Sequence, residues 1–235
     1  MQKKENHIEV FKNALSSTIK SISRKKDFEI KFGKQTTTTN SEKIVNLPEL
    51  NKLDNINDYS FYRAIADSEA LRLKYSNNQI YEKFKPKGEM SQKLYKIAEK
   101  IRYEKIGSDR FKGVKNNISA YYKERVNSLD IKSHEDKIVE SFENYLRIKF
   151  FNSKNSKELE KKLKTYQKDL KEKFKGKIEQ LSSSAHNQAE YNSIISNLIA
   201  NLNLDENLEK EEKHEEIKDE KQKDQKHQEQ KTEEK

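Results

Sequence analysis

Apolar residues recur at helical spacing through most of the chain. Phe11, Ala14, Leu15, Thr18, Ile19 and Ile22 follow the i, i+3, i+4, i+7 pattern that places side chains on one face of an amphipathic helix. From residue 27 the period changes. Phe28, Ile30 and Phe32 alternate with Glu29 and Lys31, the pattern of a strand with one buried face. Gly33 and the polar run 35–41 predict a turn, Ile44 and Val45 a second short strand pairing back on the first, and Pro48 its end. This predicts a small two-stranded β-hairpin near the N-terminus of an otherwise helical protein.

The helical period then returns. Asn57 or Asp58 is placed to cap a helix whose inner face carries Phe61, Ile65, Ser68, Leu71 (or Arg72) and Tyr75. Pro86 and Gly88 mark a turn. Met90, Leu94, Ile97 and Ile101 define a helix ending near Gly107, and Gly113 precedes another with Val114, Ile118, Tyr121 (or Tyr122) and Val126. A helix from about His134 to Phe151 turns Ile138, Phe142, Tyr145, Ile148 and Phe151 inward. Leu159, Leu163, Tyr166, Leu170 and Phe174 form one stripe on a lysine-rich helix, and Tyr191, Ile194, Ile195, Leu198 and Ile199 belong to a last helix running out near Leu204. There is no internal repeat. The expected fold is mainly α, a bundle-like body with the hairpin, in three stretches: 1–130, a helical continuation 131–204, and a charged tail 205–235.

Composition sharpens this picture. Of 235 residues, 38% are charged and 52 are Leu, Ile, Val or Phe. That is just above the roughly 20% below which a highly charged chain stays unfolded. Fifty of the 52 lie before residue 205, so the body can build a core. The tail holds 8 Lys against 13 Asp and Glu and no apolar stripe, and the composition predicts disorder or a single exposed helix. Its net charge of −5 leaves +14 on the body of a +9 chain. The absence of cysteine excludes disulfides, zinc–thiolate sites and iron–sulfur clusters. No apolar run approaches the ~20 residues that span a bilayer, and the first fifteen residues lack the apolar stretch of a secretory signal. A cytoplasmic protein without membrane association is expected.

Few patterns carry chemistry. A phosphate-cradling loop requires G-x-x-x-x-G-K-[ST]; between Gly107 and Gly113 there are five residues rather than four, and Val114 stands where the lysine belongs. Those glycines read instead as a helix stop and start. The histidines His7, His134, His186, His214 and His227 show no four-residue spacing, and His134-Glu135-Asp136 fits a helix N-terminus better than a metal site. Neither a D-x-S-x-S magnesium pattern nor a G-x-S-x-G nucleophile elbow occurs. Asp67 and Glu69, two apart on one helix, point to different faces. Glu99, Arg102 and Glu104 read equally as exposed ion pairs. The stretch 157–177 has nine Lys against four acids. It reads either as a phosphate-binding helix or as a solvated face whose stripe packs on the core, and the lack of an accompanying aromatic platform favours the second.

One ordered set of motifs resembles a known family. Phe11-Lys12-x-Ala14, the strand FEIKF, Leu47-Pro48-Glu49-Leu50, the block RAIADSEALRLKY over 63–75, Pro86-x-Gly88 and IRYEKIGSDRFKGVKNNISA over 101–120 follow one another. In that order and spacing they are similar to the N-terminal region of the aerobic cobaltochelatase T subunit over roughly residues 8–125. The departures are Ala64 in place of a glycine, Lys74, Tyr75 and Ser76 in place of an arginine and a His–Asp pair, and Tyr81 in place of a histidine. The C-terminal von Willebrand-type domain with its magnesium site, which follows an acidic linker in the family, is not represented in these residues.

The resemblance implies a non-catalytic accessory subunit of an ATP-dependent cobalt-inserting complex of cobalamin biosynthesis. Its partners would be an AAA+ ATPase ring and a large tetrapyrrole-binding subunit. ATP, magnesium and cobalt are then implied for the complex, and no cofactor or metal for this chain. The family blocks supply Arg63, Asp67, Arg102, Glu104, Arg110 and Asn117 as candidate partner-binding residues, with no catalytic residue among them. The other reading of these polar groups is that they tie helices together through buried ion pairs. At the level of the whole chain, the alternative is a basic helical module for nucleic acid or an acidic partner, or a remnant of the subunit without a chelatase role.

Overall fold

The computed structural model describes residues 2–33, 44–51, 53–153, 157–202 and 204; of residues 2–6, 157, 158, 162 and 165 it describes the backbone alone. The tail 205–235 lies outside the described residues. The fold is mainly α, with helices α1 (Gln2–Ser23), α2 (Ile56–Tyr75), α3 (Asn78–Phe84), α4 (Glu89–Arg110), α5 (Lys112–Asn127), α6 (His134–Phe151), α7 (Lys157–Lys173), α8 (Ile178–Ser183) and α9 (Gln188–Ala200). A short 3-10 turn over Ser184–His186 joins the last two, and strands β1 (Glu29–Phe32) and β2 (Ile44–Leu47) stand between α1 and α2.

The two strands pair as expected but not as a hairpin. They run parallel, with Glu29 opposite Ile44 and Phe32 opposite Leu47. A tight turn joins antiparallel strands, whereas a parallel pair requires the chain to travel back along the strand. The eleven residues from 33 to 43 are far longer than a hairpin turn, and four residues at ~3.3 Å each leave only ~13 Å to cover. The alternation itself was sound: Phe28 is buried, Ile30 and Phe32 half-buried, Glu29 and Lys31 exposed.

Packing explains the helices one by one. On α1, Phe11, Leu15 and Ile19 are buried at i, i+4 spacing, while Ala14 and Thr18 face out. They meet Ala66, Ala70 and Leu73 of α2 together with Phe28, Val45, Leu47 and Leu50. The cap of α2 is Asn55, not Asn57 or Asp58. Its side chain accepts from the amides of Asn57 (2.8 Å) and Asp58 (3.1 Å), and the Asp58 carboxylate accepts in return from the Asn55 amide (3.1 Å), a reciprocal capping box. α2 is buried on several sides, because it lies between α1, α4 and α5.

Gly107 does not stop a helix. It lies inside α4, which runs on to Arg110, and a Cβ there would stand 2.2 Å from Cδ2 of the fully buried Leu71. Close approach of α2 and α4 is therefore what the glycine serves. α3 was not foreseen: seven residues are too short to show a period, and its one signal is Asn77, which caps it by accepting from the amides of Gln79 and Ile80. α6 begins as expected, with Ser133 and Asp136 forming its capping box. The main core gathers Leu94, Tyr95 and Ala98 of α4, Phe142 and Leu146 of α6, Leu170 of α7, the adjoining Phe174, and Tyr191 and Ile195 of α9. The stripe of the lysine-rich helix is thus spent on that core, and the exposed lysines form its solvated face. No described helix is long and apolar enough to cross a membrane.

Candidate functional site

The six candidate residues separate into three places. Arg102 and Glu104, on α4, are buried at 1% exposure each. Arg63, Asp67 and Asn117 line the seam between α2 and α5. Arg110 is exposed at the end of α4.

Arg102 is the centre of a buried clamp. Its Nε and Nη2 donate to the two carboxylate oxygens of Glu99 at 2.8 and 2.7 Å, a bidentate pair. Nη2 also donates to the Tyr75 carbonyl at 2.6 Å, and Nη1 to the Ala185 carbonyl at 3.0 Å. Glu99 further accepts from Ser76 Oγ (2.5 Å) and Gln188 Nε2 (3.1 Å), and Gln188 Oε1 accepts from the Asn77 amide (2.7 Å). The guanidinium thereby ties α4 to the end of α2 and to the 3-10 turn, and its partner Glu99 ties α4 to the start of α9. Glu99, Arg102 and Glu104 are therefore not exposed pairs, and the reason is α4 itself, which is buried on most of its circumference.

Glu104 anchors a second clamp. Its carboxylate accepts from Ser68 Oγ of α2 at 2.6 Å and from Arg147 Nη2 of α6 at 2.8 Å. Arg147 also donates to Glu143 (2.9 Å) and lies 3.1 Å from the centroid of the Tyr122 ring of α5. Arg125 of α5 extends the chain to Glu143 (3.3 Å) and Glu140. Burial alone would raise the Glu143 carboxyl, but Arg147 and Arg125 hold it below the ordinary carboxylate value. Sequence reasoning missed Arg147, Glu143 and Gln188. The available signal was the opposite-charge pair Glu143–Arg147 at i, i+4 within an otherwise inward-facing run.

The α2–α5 seam is different in character. Asn117 Nδ2 donates to Asp67 Oδ2 at 2.7 Å. Arg63, four residues before Asp67, lies exposed over the same side of α2. Phe61, 38% exposed, meets Tyr121 of α5 at 5.7 Å between ring centroids, at the N-terminal end of α2. Glu69 indeed faces another way, pairing with Arg72 at 2.8 Å. Burial raises the Asp67 carboxyl above its ordinary value, against the opposing pull of the Asn117 hydrogen bond and Arg63. The folded protein then holds this proton to higher pH than the unfolded chain, so stability falls as pH rises from ~4 through the raised value. Asp67→Asn keeps an acceptor for Asn117 and removes the buried charge. Its Tm is expected to exceed that of the parent at pH 7, with the gain closing toward pH 4; thermal unfolding at both values measures this, and a lower Tm at pH 7 would contradict it.

This donor set does not suit a cation, because a guanidinium stands beside the single carboxylate. Among the described residues no three His, Asp or Glu side chains come together in a way that could hold a metal ion. What the two clamps and the seam share is one contact each between the segments 63–75 and 101–120, the blocks most distinctive in the sequence: Tyr75 with Arg102, Ser68 with Glu104, and Asp67 with Asn117. No solved structure matches the chain. The family model described as cobalamin biosynthesis protein CobT matches residues 5–235. With nearly its whole length covered by that match, the chain belongs to the CobT family of cobalamin biosynthesis proteins.

Proposed function

We propose that this chain is a non-catalytic subunit of an ATP-dependent cobalt-inserting complex, and that it works by docking to an AAA+ ATPase ring along the α2–α5 seam. One observation carries this reading. Arg102 and Glu104 of the family blocks are spent on buried hydrogen bonds between helices, to the Tyr75 and Ala185 carbonyls and to Ser68 and Arg147, while the α2–α5 seam leaves Arg63 and Phe61 exposed beside the half-buried Tyr121. Motion of an ATPase reaches a third subunit only through a body that transmits force. A body whose helices are joined by satisfied buried polar networks is more rigid than one joined by apolar contacts alone. In this reading nucleotide and magnesium belong to the ring, and cobalt is cargo.

The test is co-purification of the full chain with the ATPase ring and with the large tetrapyrrole-binding subunit, each supplied separately. Capture of the ring is expected, and Arg63→Glu together with Phe61→Ser is expected to abolish it while the circular dichroism spectrum stays unchanged. Capture of neither subunit would overturn the proposal. Capture that survives the double substitution would move the docking surface elsewhere.

A further inference from the structure

The C-terminal ends of α1, α2 and α4 meet, and each brings a cation. Lys74, in the last turn of α2, donates from Nζ to the Ile22 carbonyl at 2.6 Å and so lies against the end of α1. There Arg24 takes left-handed backbone, with φ 58°, and its amide donates to the Lys20 carbonyl at 3.0 Å, closing α1 as an αL cap. Arg110 ends α4. The half-buried ring of Phe111 is near both Lys74 and Arg110, its centroid 5.5 Å from Lys74 Nζ and 5.8 Å from the Arg110 guanidinium. Arg24 and Arg110 are exposed, and neither forms an ion pair among the described residues. The cations feel one another: burial and then the charges of Arg24 and Arg110 hold the Lys74 ammonium below its ordinary value.

A cation at a helix C-terminus complements the helix dipole. That accounts for one cation at each end. It does not account for three ends converging with no acid paired to Arg24 or Arg110 among the described residues.

We propose that this cluster docks a carboxylate-rich protein segment. Two guanidinium forks can each donate bidentately to a carboxylate, and Phe111 offers an apolar surface to the methylenes of glutamate side chains. A nucleic-acid backbone is the poorer match. The cluster is compact, whereas a phosphate track needs cations spread along a groove, and the lysines of α7 are interleaved with Glu160, Asp169 and Glu172. The site stands apart from the ATPase reading, since Lys74 lies thirteen residues, or ~20 Å of helix, beyond Phe61.

Binding of a fluorescein-labelled oligoglutamate peptide to the full chain, followed by anisotropy, tests this. Affinity is expected to fall as ionic strength rises from about 0.05 to about 0.3 M. Arg24→Asn with Arg110→Gln is expected to weaken binding about fivefold to tenfold. Asn tolerates the positive φ at position 24, and Lys74 remains to hold the end of α1, so the fold is preserved. Lys171→Gln with Lys175→Gln, an equal loss of exposed charge elsewhere, is expected to change affinity less than about twofold. Three results would overturn the proposal: no peptide binding at low salt, equal weakening by both pairs of substitutions, or an oligonucleotide of matched charge binding more tightly at the same residues.

Discussion

Replacing Arg102 with methionine is expected to lower the unfolding free energy by about 3–5 kcal/mol, the cost of removing one partner from a buried ion pair. That is a large part of the ~5–15 kcal/mol available to a domain. Arg102 makes four hydrogen bonds, two to Glu99 on its own helix and one each to the backbone carbonyls of Tyr75 and Ala185, and those two carbonyls cannot turn to water without moving the chain that carries them. With the guanidinium gone, Glu99 keeps Ser76 and Gln188 as donors but no countercharge. The 3-10 turn loses its bond to Arg102 while Gln188 keeps Glu99, so faster amide exchange is expected first around Ser184–His186. Arg102→Lys should recover little, because an ammonium cannot reproduce the planar fork. Pairing Arg102→Met with Glu99→Met should cost less than the single substitution, since the stranded charge is then absent. Urea unfolding of the three variants measures all of this. A loss below about 1 kcal/mol for Arg102→Met would mean that the pair behaves as a surface bridge, against its burial.

Arg147→Met is expected to cost a comparable ~3–5 kcal/mol at pH 7, but with a pH signature of its own. Arg147 neutralises Glu104 and Glu143 and covers the Tyr122 ring, so its removal deprives buried Glu104 of its close countercharge and leaves Glu143 with Arg125 alone. Glu143 is held below its ordinary value in the parent protein. A depressed carboxyl contributes stability above the unfolded value of ~4.3, and that contribution is lost as pH falls through the folded value. Without Arg147 the larger part of this contribution is removed, Arg125 alone opposing the burial that favours the protonated form. The difference in Tm between parent and variant should therefore be widest at pH 7 and narrow as pH falls toward ~4.5. A gap that stays constant would show that Arg147 acts through packing on Tyr122 rather than through charge.

The ordered motifs of the sequence were enough to find the family, because each is a short run of fixed residue types and their succession survives without coordinates. They were not enough to say what their polar members do. Arg63 and Arg102 are both arginines in family blocks, yet one faces solvent and the other is almost wholly enclosed. The difference lies in what packs against each helix, and that depends on contacts as far away as Ala185 and Gln188. Gly107 shows the same limit: a glycine near an expected helix end suits a cap equally well as a close helix crossing, and the position of Leu71 chooses the crossing.

Helical content, the inward stripes of α1, α6 and α7, the capped start of α6 and the alternation of β1 were all determined by local pattern. Side-chain period follows from backbone geometry, and that geometry is local. The parallel pairing of the strands, the two buried clamps and the meeting of three cationic helix ends were decided by the tertiary structure alone. Each depends on which distant segments come together, and in a chain this rich in charge many pairings satisfy the same local rules. Burial selects among them, because a charge taken out of water has to find its partner in the protein.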